Sequence, residues 1–421
     1  MRRRNTSLLL SFFLFPDIEL VWRGRDDKAL YQLFKKCLDH APWLLLEDND
    51  LFWLFCETQL RYRTLHAPLS IDFTRTFRLD DWNVSHAREF FRFEPAAIRL
   101  MAGFFLGTEQ LRTDARGVGD EKHANTYMPE EGLCMFLWRM ASPAKLSEAM
   151  KYFFRSRSSI SRICNDVARR LHLIAVPCLS GIYTEEIVER YLEWREAIAR
   201  VSELDVGVYA LIDGKLFVFA HTSQLDGAFY SGYYKKFGAK FLAVAAPNGM
   251  LIALHGPEAG RHHDSWCIDE SGWFRPLRDL DAQLRGENYR RDGHARIGAA
   301  ILGDSAFPRT QGLMAMYKEP ELNGRPRRQL FQQKMKSARG EIEHWFAHVI
   351  LNWRHLANEL EMKMQSRPVF SYVWACSLMS NCLTAARGGN QISAKFSVPP
   401  PTLMEYLESL LKRSRAMAGR F

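Results

Sequence analysis

Two aspartates in this sequence each stand directly after a short apolar, β-prone run. Asp213 follows residues 210–212, and Asp304 follows residues 301–303. In open α/β sheets, sites collect at the carboxyl ends of the strands, so acids in these positions can meet at one edge of a sheet. One such acid alone is more often a turn former or a helix cap. Two of them within one predicted domain favour a chemical role.

A third acid is predicted on a helix that includes residues 337–346. Glu341 and Glu343 are two positions apart and point to different faces, so the apolar periodicity does not choose between them. Three carboxylates from two strand ends and one helix can hold two Mg²⁺ or Mn²⁺ ions, because oxygen ligands suit these metals. Such a metal pair activates a water or a 3′-hydroxyl and stabilises the leaving oxygen at a phosphorus centre.

The tract between the two aspartates also contains clustered polar groups, namely His262, His263 and Asp264. These residues could bind a transition metal, but the HxxxH and HExxH spacings of a zinc helix are absent, so the sequence does not predict a dedicated zinc site. Asp264 and Ser265 can instead cap the helix that follows. A serine hydrolase is not indicated either, because the sequence has no GxSxG motif.

Basic residues suggest a polyanionic partner. The chain carries 57 Lys and Arg against 48 Asp and Glu, a net charge of +9. Three closely spaced helices over 132–140, 144–153 and 156–171 give a helix-turn-helix pattern, whose basic last helix can enter a DNA major groove. Residues 323–340 add six basic residues and no acid. The alternative is a helical bundle with solvated basic faces. The candidate DNA-contacting residues are Arg155, Arg157, Arg162, Arg169, Arg325, Arg327, Arg328, Lys334 and Lys336.

The order of predicted elements indicates an α/β fold, a mixed sheet with flanking helices preceded by an all-α region. Predicted strands cover 206–212, 216–220, 241–245, 251–254 and 299–302, and later helices cover 311–317, 329–360 and 370–386. The last of these contains Ser, Asn and Cys, which favours a buried helix over a membrane span. We divide the chain into a helical region (1–110), the helix-turn-helix region (131–180), the α/β domain (205–390) and a basic tail (391–421).

Composition excludes several classes of protein. A chain of 421 residues that is 47% hydrophobic and 25% charged can form two or three folded domains and is not disordered or collagen-like. Its eight cysteines lack any CxxC pair, which favours a reducing, intracellular compartment. The apolar stretch 8–16 is too short to span a membrane, and Pro16 and Asp17 follow where a signal-peptide cleavage site would lie.

Several short motifs occur in series along the chain: 211–214 (LIDG), 230–232 (YSG), 246–249 (APNG), 256–264 (GPEAGRHHD), 302–308 (LGDSAFP) and 339–346 (RGEIEHWF). Together they resemble the DDE transposases of the PIF/Harbinger type, whose catalytic part is a DDE superfamily endonuclease domain. In the last motif the family's glutamate lies four residues after an arginine, which selects Glu343 over Glu341. Lys215 departs from the pattern, since the family usually has a small or hydroxyl residue there, and the first 110 residues or so match no family that we can name.

This resemblance implies an RNase H-like fold and a two-metal reaction that cuts and joins DNA strands. Asp213 would bridge two Mg²⁺ ions (or Mn²⁺), with Asp304 and Glu343 each holding one side and with His263 and Asp264 as supporting groups. It also implies double-stranded DNA as a partner, a nuclear location and no membrane, with a Myb-like DNA-binding protein and a homo-oligomer as further expected partners.

Three alternatives stay open on the sequence alone. The chain could be a domesticated copy that binds DNA or a protein without cutting. It could be an RNase H-like nuclease of another substrate, such as RNA. It could also be a helical scaffold whose basic surface is incidental.

Overall fold

A computed structural model describes residues 71–113, 125–221, 226–292, 298–364 and 366–418 of the chain. The chain divides into two compact units, Met1–Asp72 and Phe73–Phe421. The apolar stretch 8–16 and the predicted helical region up to residue 70 lie outside the described residues.

The second unit begins with helices. They are α1 (Val84–Phe91), α2 (Pro95–Leu106), α3 (Pro129–Ala141), α4 (Leu146–Phe153), α5 (Arg157–Leu179) and α6 (Thr184–Ser202). A two-stranded antiparallel sheet of β1 (Leu111–Arg112) and β2 (Thr126–Tyr127) lies between α2 and α3 in the chain. Local sequence sets the helix starts: α2 and α3 each have proline in the first turn, and the Ser156 side chain accepts a hydrogen bond from Ser159 N at the start of α5.

Helix α5 is a core helix over much of its length. Every side chain from residue 163 to 168 is buried, so this stretch is covered on all sides. Asp166, which lies within it, accepts hydrogen bonds from the Tyr127 hydroxyl at 2.6 Å and from Arg170 Nε at 2.8 Å. The three helices predicted at 132–140, 144–153 and 156–171 correspond to α3, α4 and α5. In α5, the side chains that face solvent lie in its first turn and at separate later positions.

The second half of the unit is built on a six-stranded mixed sheet. Its strands are β3 (Val208–Val218), β4 (Tyr230–Ser231), β5 (Lys236–Ala245), β6 (Leu251–Ala259), β7 (Ala300–Gly303) and β8 (Leu313–Ala315). Strand β5 pairs antiparallel with β3, β4 and β6, and β7 pairs parallel with β3 and β8. The predicted mixed α/β class is confirmed.

Two predicted elements differ from the structure. The predicted strands 206–212 and 216–220 are one continuous strand, β3, because its ladder with β5 runs without interruption from Leu211 to Val218. The predicted helix 311–317 is wrong: this segment contains strand β8, where Ile301 pairs with Leu313. A short apolar run cannot be assigned by periodicity alone, and here the open edge of β7 decides the conformation.

The helices that flank the sheet are α7 (Asp226–Phe229), α8 (Asp264–Glu270), α9 (Phe274–Asp292), α10 (Glu319–Leu322), α11 (Pro326–Arg339), α12 (Glu341–Asn352) and α13 (Val369–Arg387). The long helix predicted over 329–360 is divided at Gly340 into α11 and α12, and it ends in a 3-10 turn at Arg354–Ala357.

Helix α13 occupies the interior of the unit. By length and composition it could cross a membrane, as could α5 and α6 together across their 69° bend, but 89% of the apolar window of α13 is buried inside the protein. Its Asn381 side chain accepts from Leu251 N and donates to Leu251 O, each at 2.8 Å. Helix α13 packs against both α5 and β6, and all three elements belong to the unit Phe73–Phe421.

The predicted basic tail 391–421 folds as helices α14 (Gln391–Phe396) and α15 (Leu403–Ala418) in its described part. Tyr406, Leu407 and Leu410 are buried at helical spacing, and Arg413 is only 6% exposed. Arg413 pairs with Glu186 of α6 and donates to the Cys178 carbonyl at 3.2 Å. The apolar side chains of this segment give α15 a face that packs on the core.

Acid should destabilise this fold through the buried His355, which is 0% exposed. Burial, with Arg139 and Arg367 nearby, lowers the pKa of His355 to about 2. The unfolded chain takes up a proton below about pH 6.5, whereas the folded chain does not, so stability falls as pH falls. We expect a loss of about 1.4 kcal/mol from this group between pH 7.5 and pH 5.5.

Urea unfolding of wild type and His355→Gln at the two pH values measures this effect. The variant should lose less stability on acidification than wild type by about that amount. The exposed His86→Gln is the control and should keep the wild-type pH dependence. An identical pH dependence for His355→Gln would contradict the assignment.

Candidate active site

Asp213 lies within strand β3, not at its end as the sequence predicted. The ladder with β5 continues past it, since Asp213 pairs with Ala243 and Gly214 with Leu242. On the other side of β3, the pairing with β7 ends at Leu211 opposite Leu302. Asp213 therefore stands where β3 extends beyond its shorter parallel neighbour.

Asp304 directly follows β7 and comes level with Asp213. Because Leu211 is in register with Leu302 and the strands are parallel, each aspartate is two residues beyond this pair. Neighbouring strands lie about 4.8 Å apart, so the two acids occupy adjacent places at one edge of the β3–β7 pair. Asp304 Oδ1 accepts a hydrogen bond from Ala306 N at 2.8 Å, and Asp213 Oδ1 accepts one from Gly214 N at 2.9 Å.

The electrostatic environment of Asp213 shows that acids gather around it. The pKa of Asp213 is raised to about 6, chiefly by burial; the Gly214 N–H and Arg339 oppose the rise, and the nearby Asp304 and Asp264 add to it. A partly buried carboxylate with two acidic neighbours is a place where a cation would be strongly favoured.

Asp264 is held beside Asp213 by a glycine and a lysine. Its Oδ1 lies 3.0 Å from Lys240 Nζ. A Cβ atom on Gly214 would come within 2.2 Å of the same oxygen, so only glycine lets the Asp264 carboxylate approach β3 this closely. The sequence suggested a cap for the following helix, but this carboxylate contacts β3 and β5 instead, although Asp264 is the first residue of α8.

The two histidines of the same tract lie beside the acids without joining them. His263 is exposed and stands just before α8. The His262 ring packs on Trp266 with 3.6 Å between ring centroids. Of the two predicted supporting residues, His263 and Asp264, it is Asp264 that has a described contact at the site.

The structure separates the two candidate glutamates of α12. Glu341 is buried, 6% exposed, and bonds to His344 Nδ1 at 2.8 Å. The Glu343 side chain is 59% exposed and pairs with Arg339, the last residue of α11. Arg339 also lowers the pKa of Asp213, so Glu343 and Asp213 interact with the same cation, whereas Glu341 bonds to His344 of its own helix.

The donor chemistry of this edge suits a hard divalent cation, but the third donor is already engaged. Asp213 and Asp304 offer carboxylate oxygens at adjacent places. Glu343 is paired with Arg339, and among the described residues no group of three or more His, Cys, Asp or Glu is arranged to hold a metal ion.

Sequence reasoning missed two residues at this site. Lys240 lies in the apolar strand β5 and is only 9% exposed, and it balances the charge of Asp264. Tyr234 lies in the turn before β5 and is 51% exposed. Its partial burial raises the pKa of its hydroxyl; Lys240 lowers this pKa, and Asp264 and Asp213 raise it. A lysine inside an otherwise apolar strand was the available signal, because a buried lysine needs a partner.

The predicted DNA-contacting residues divide into paired and exposed groups. Arg155 forms a bidentate pair with Glu131 at 2.5 and 2.8 Å, Arg328 contacts Glu321 at 3.8 Å, and Lys334 pairs with Glu203. Arg162 is half-buried. The exposed members are Arg157, Arg169, Arg325, Arg327 and Lys336.

Replacing Gly214 should disturb the acidic cluster directly. Gly214→Ala places a methyl group against the Asp264 carboxylate, and we expect a loss of about 1–3 kcal/mol in the free energy of unfolding, the usual cost of overpacking. Adding Asp264→Ala to this variant should recover part of the loss. Gly103→Ala has open space around its Cβ and is the control. Equal stability of Gly214→Ala and wild type in urea unfolding would contradict the close approach.

Comparison with known proteins gives a match to the part of the chain that contains these acids. The model of a family described as DDE superfamily endonuclease matches residues 212–381, a segment that begins at β3 and contains Asp213, Asp304 and Glu343. Neither the curated proteins nor the solved structures yield a match. The family match supports a DDE-type transposase family, with nuclease or transposase activity in general, for the α/β part of this chain.

Proposed function

We propose that this chain is a metal-dependent DNA endonuclease and transposase of the PIF/Harbinger type, which cuts and joins DNA strands at transposon ends. One observation carries the proposal. Asp213, within β3, and Asp304, directly after the neighbouring parallel strand β7, lie level with each other inside the segment that matches the DDE superfamily endonuclease family.

The proposed roles follow from the surroundings of each acid. Asp213, partly buried and flanked by Asp304 and Asp264, would hold divalent cations, Mg²⁺ or Mn²⁺, together with Asp304 and Glu343. Such cations supply Lewis acidity that stabilises the charge developing on a phosphodiester. For Glu343 to serve, its carboxylate must leave Arg339, which would then be available to a DNA phosphate.

Lys240 and Asp264 would position the site. Lys240 would balance the negative charge of Asp264. The Asp264 carboxylate could then stay beside Asp213 without leaving an unpaired buried charge. His263, exposed just before α8, would face the DNA. The RNase H-like fold remains part of the proposal; its support is the sheet, in which three antiparallel strands (β6, β5, β3) are extended by two parallel ones (β7, β8).

The exposed basic residues of α11 would guide the DNA backbone to the acids. Arg325 and Arg327 lie at the start of this helix and Lys336 in its last turn, and the helix ends at Arg339 beside Glu343. Arg157 and Arg169, exposed on α5, would add contacts from the helix-turn-helix region. Phosphate contacts of this kind hold DNA without reading its sequence.

Location and partners remain proposals that rest on the family resemblance. We propose a nuclear protein that binds double-stranded DNA, works with a Myb-like DNA-binding protein and assembles as a homo-oligomer. The six described cysteines without a disulfide are compatible with a reducing compartment.

One observation favours a second candidate, a domesticated copy that binds DNA without cutting it. The Glu343 carboxylate is paired with Arg339. If Glu343 stays paired with Arg339, the chain would still bind DNA through its basic surface but would not cleave it.

Removing an acid should abolish cleavage while DNA binding persists. We expect Asp304→Asn and Glu343→Gln each to reduce Mg²⁺-dependent nicking of terminal-repeat DNA by roughly 100-fold or more, a scale typical of removing one electrostatic group from an active site. Glu341→Gln and the exposed Asp269→Asn are controls and should nick at nearly the wild-type rate. If Asp304→Asn nicks as fast as wild type, the proposal fails; if wild type binds but never nicks, the second candidate holds.

Removing exposed basic residues should weaken DNA binding in a salt-dependent way. Each side chain that no longer neutralises a phosphate lowers the slope of log K against log salt by about 0.9. We expect Arg327→Gln with Lys336→Gln to reduce the slope by about 1.8 in total. Arg275→Gln, on the exposed start of α9, should leave the slope unchanged. An unaltered slope in the double variant would exclude α11 from the DNA-contacting surface.

A further inference from the structure

A cleft of 850 Å³ lies away from the acidic cluster, where α1 ends, α2 begins, α13 ends and α15 begins. Three arginines line it, Arg88, Arg92 and Arg387, and Glu94 is the acid among its lining residues. The lining therefore has three positive charges against one negative. Neither the acidic cluster nor the candidate DNA-contacting residues contribute to this cleft.

Arg92 is held in place by the main chain around it. It ends α1 in a left-handed conformation with φ of 70°. Its guanidinium donates to the carbonyl oxygens of Glu89 at 2.6 Å, of Ala141 at 3.4 Å and of Asn352 at 3.4 Å. Main-chain carbonyls orient the guanidinium without cancelling its charge.

The neighbouring arginines repel one another. Burial lowers the pKa of Arg92, and Arg354 and then Arg387 lower it further, while Glu89 opposes them. A guanidinium does not lose its proton in a protein, so the repulsion persists as a cost to the fold. Arg88 has a partner in Glu94, whereas Arg387 has no hydrogen bond or ion pair with any residue that the structure describes.

Helix ends explain part of this charge. Arg387 is in the last turn of α13, where a cation favours the unpaired carbonyls. That accounts for one arginine and not for the convergence of several on one cleft. An anion placed between them would relieve the repulsion, and a phosphate group matches the forked guanidinium better than a single carboxylate does.

We infer that this cleft binds a phosphate group, held by Arg92 and Arg387 with Arg88 and Arg354 adding positive charge. The site is separate from the proposed metal site: Asn352, which accepts from Arg92, ends the helix that carries Glu343, nine residues and about 14 Å further on. The phosphate belongs either to a DNA backbone or to a small phosphorylated molecule.

The test is a titration of the full-length protein with inorganic pyrophosphate, without divalent metal and at constant ionic strength. We expect saturable binding and a rise in Tm for wild type. Arg387→Gln should weaken the affinity about tenfold or more, because it removes a charge-assisted contact. The affinity of Arg387→Lys should lie between those of wild type and Arg387→Gln, since lysine keeps the positive charge but lacks the paired N–H donors of the guanidinium. Arg275→Gln is the matched control and should bind as wild type does.

Competition identifies the source of the phosphate. If duplex DNA displaces pyrophosphate from wild type and does so more weakly in Arg387→Gln, the natural ligand is a DNA backbone; if it does not, the ligand is a small phosphorylated molecule. Both results require the site. It is overturned if wild type shows no binding beyond matched NaCl, or if Arg387→Gln binds pyrophosphate as tightly as wild type. Either failure leaves the nuclease proposal untouched, because nicking uses other residues.

Discussion

The parallel pairing of β3 with β7 is the constraint on which the site depends. The register that pairs Leu211 with Leu302 places Asp213 and Asp304, each two residues further along the chain, level with each other. A slip of one residue would turn one aspartate to the opposite face, since side chains alternate along a strand. The buried, apolar residues of both strands hold this register, so the packing of the core decides whether two carboxylates meet.

Bringing acids together at a partly buried edge carries an electrostatic cost, and the chain offsets it with cations from other elements. Lys240 reaches Asp264 from β5, and Arg339 acts on Asp213 from the end of α11 while pairing with Glu343. The arginine cleft at the far end of α12 has the opposite imbalance, with positive charge exceeding negative. In both places a ligand of the missing sign would relieve repulsion that the fold has built in.

Sequence patterns predicted the mixed sheet and the buried α13, because these depend on apolar runs and their order. They did not predict that β3 continues through Asp213 and Gly214. That pair has the composition of a turn, but the ladder with β5 and the approach of Asp264 to Gly214 are tertiary effects. Strand β8 and helix α15 were missed for a related reason. Their conformations depend on the partners that cover them, the edge of β7 for one and the core beside Arg413 for the other.

The central claim is that Asp213 and Asp304 act together as ligands of a divalent cation. Calorimetric titration of Mn²⁺ into the full-length protein tests it without any need to know the DNA substrate. The account predicts saturable binding that is lost in Asp213→Asn and in Asp304→Asn, both remaining folded, and kept in Asp269→Asn. Binding of equal strength and stoichiometry in wild type and in both aspartate variants would contradict it.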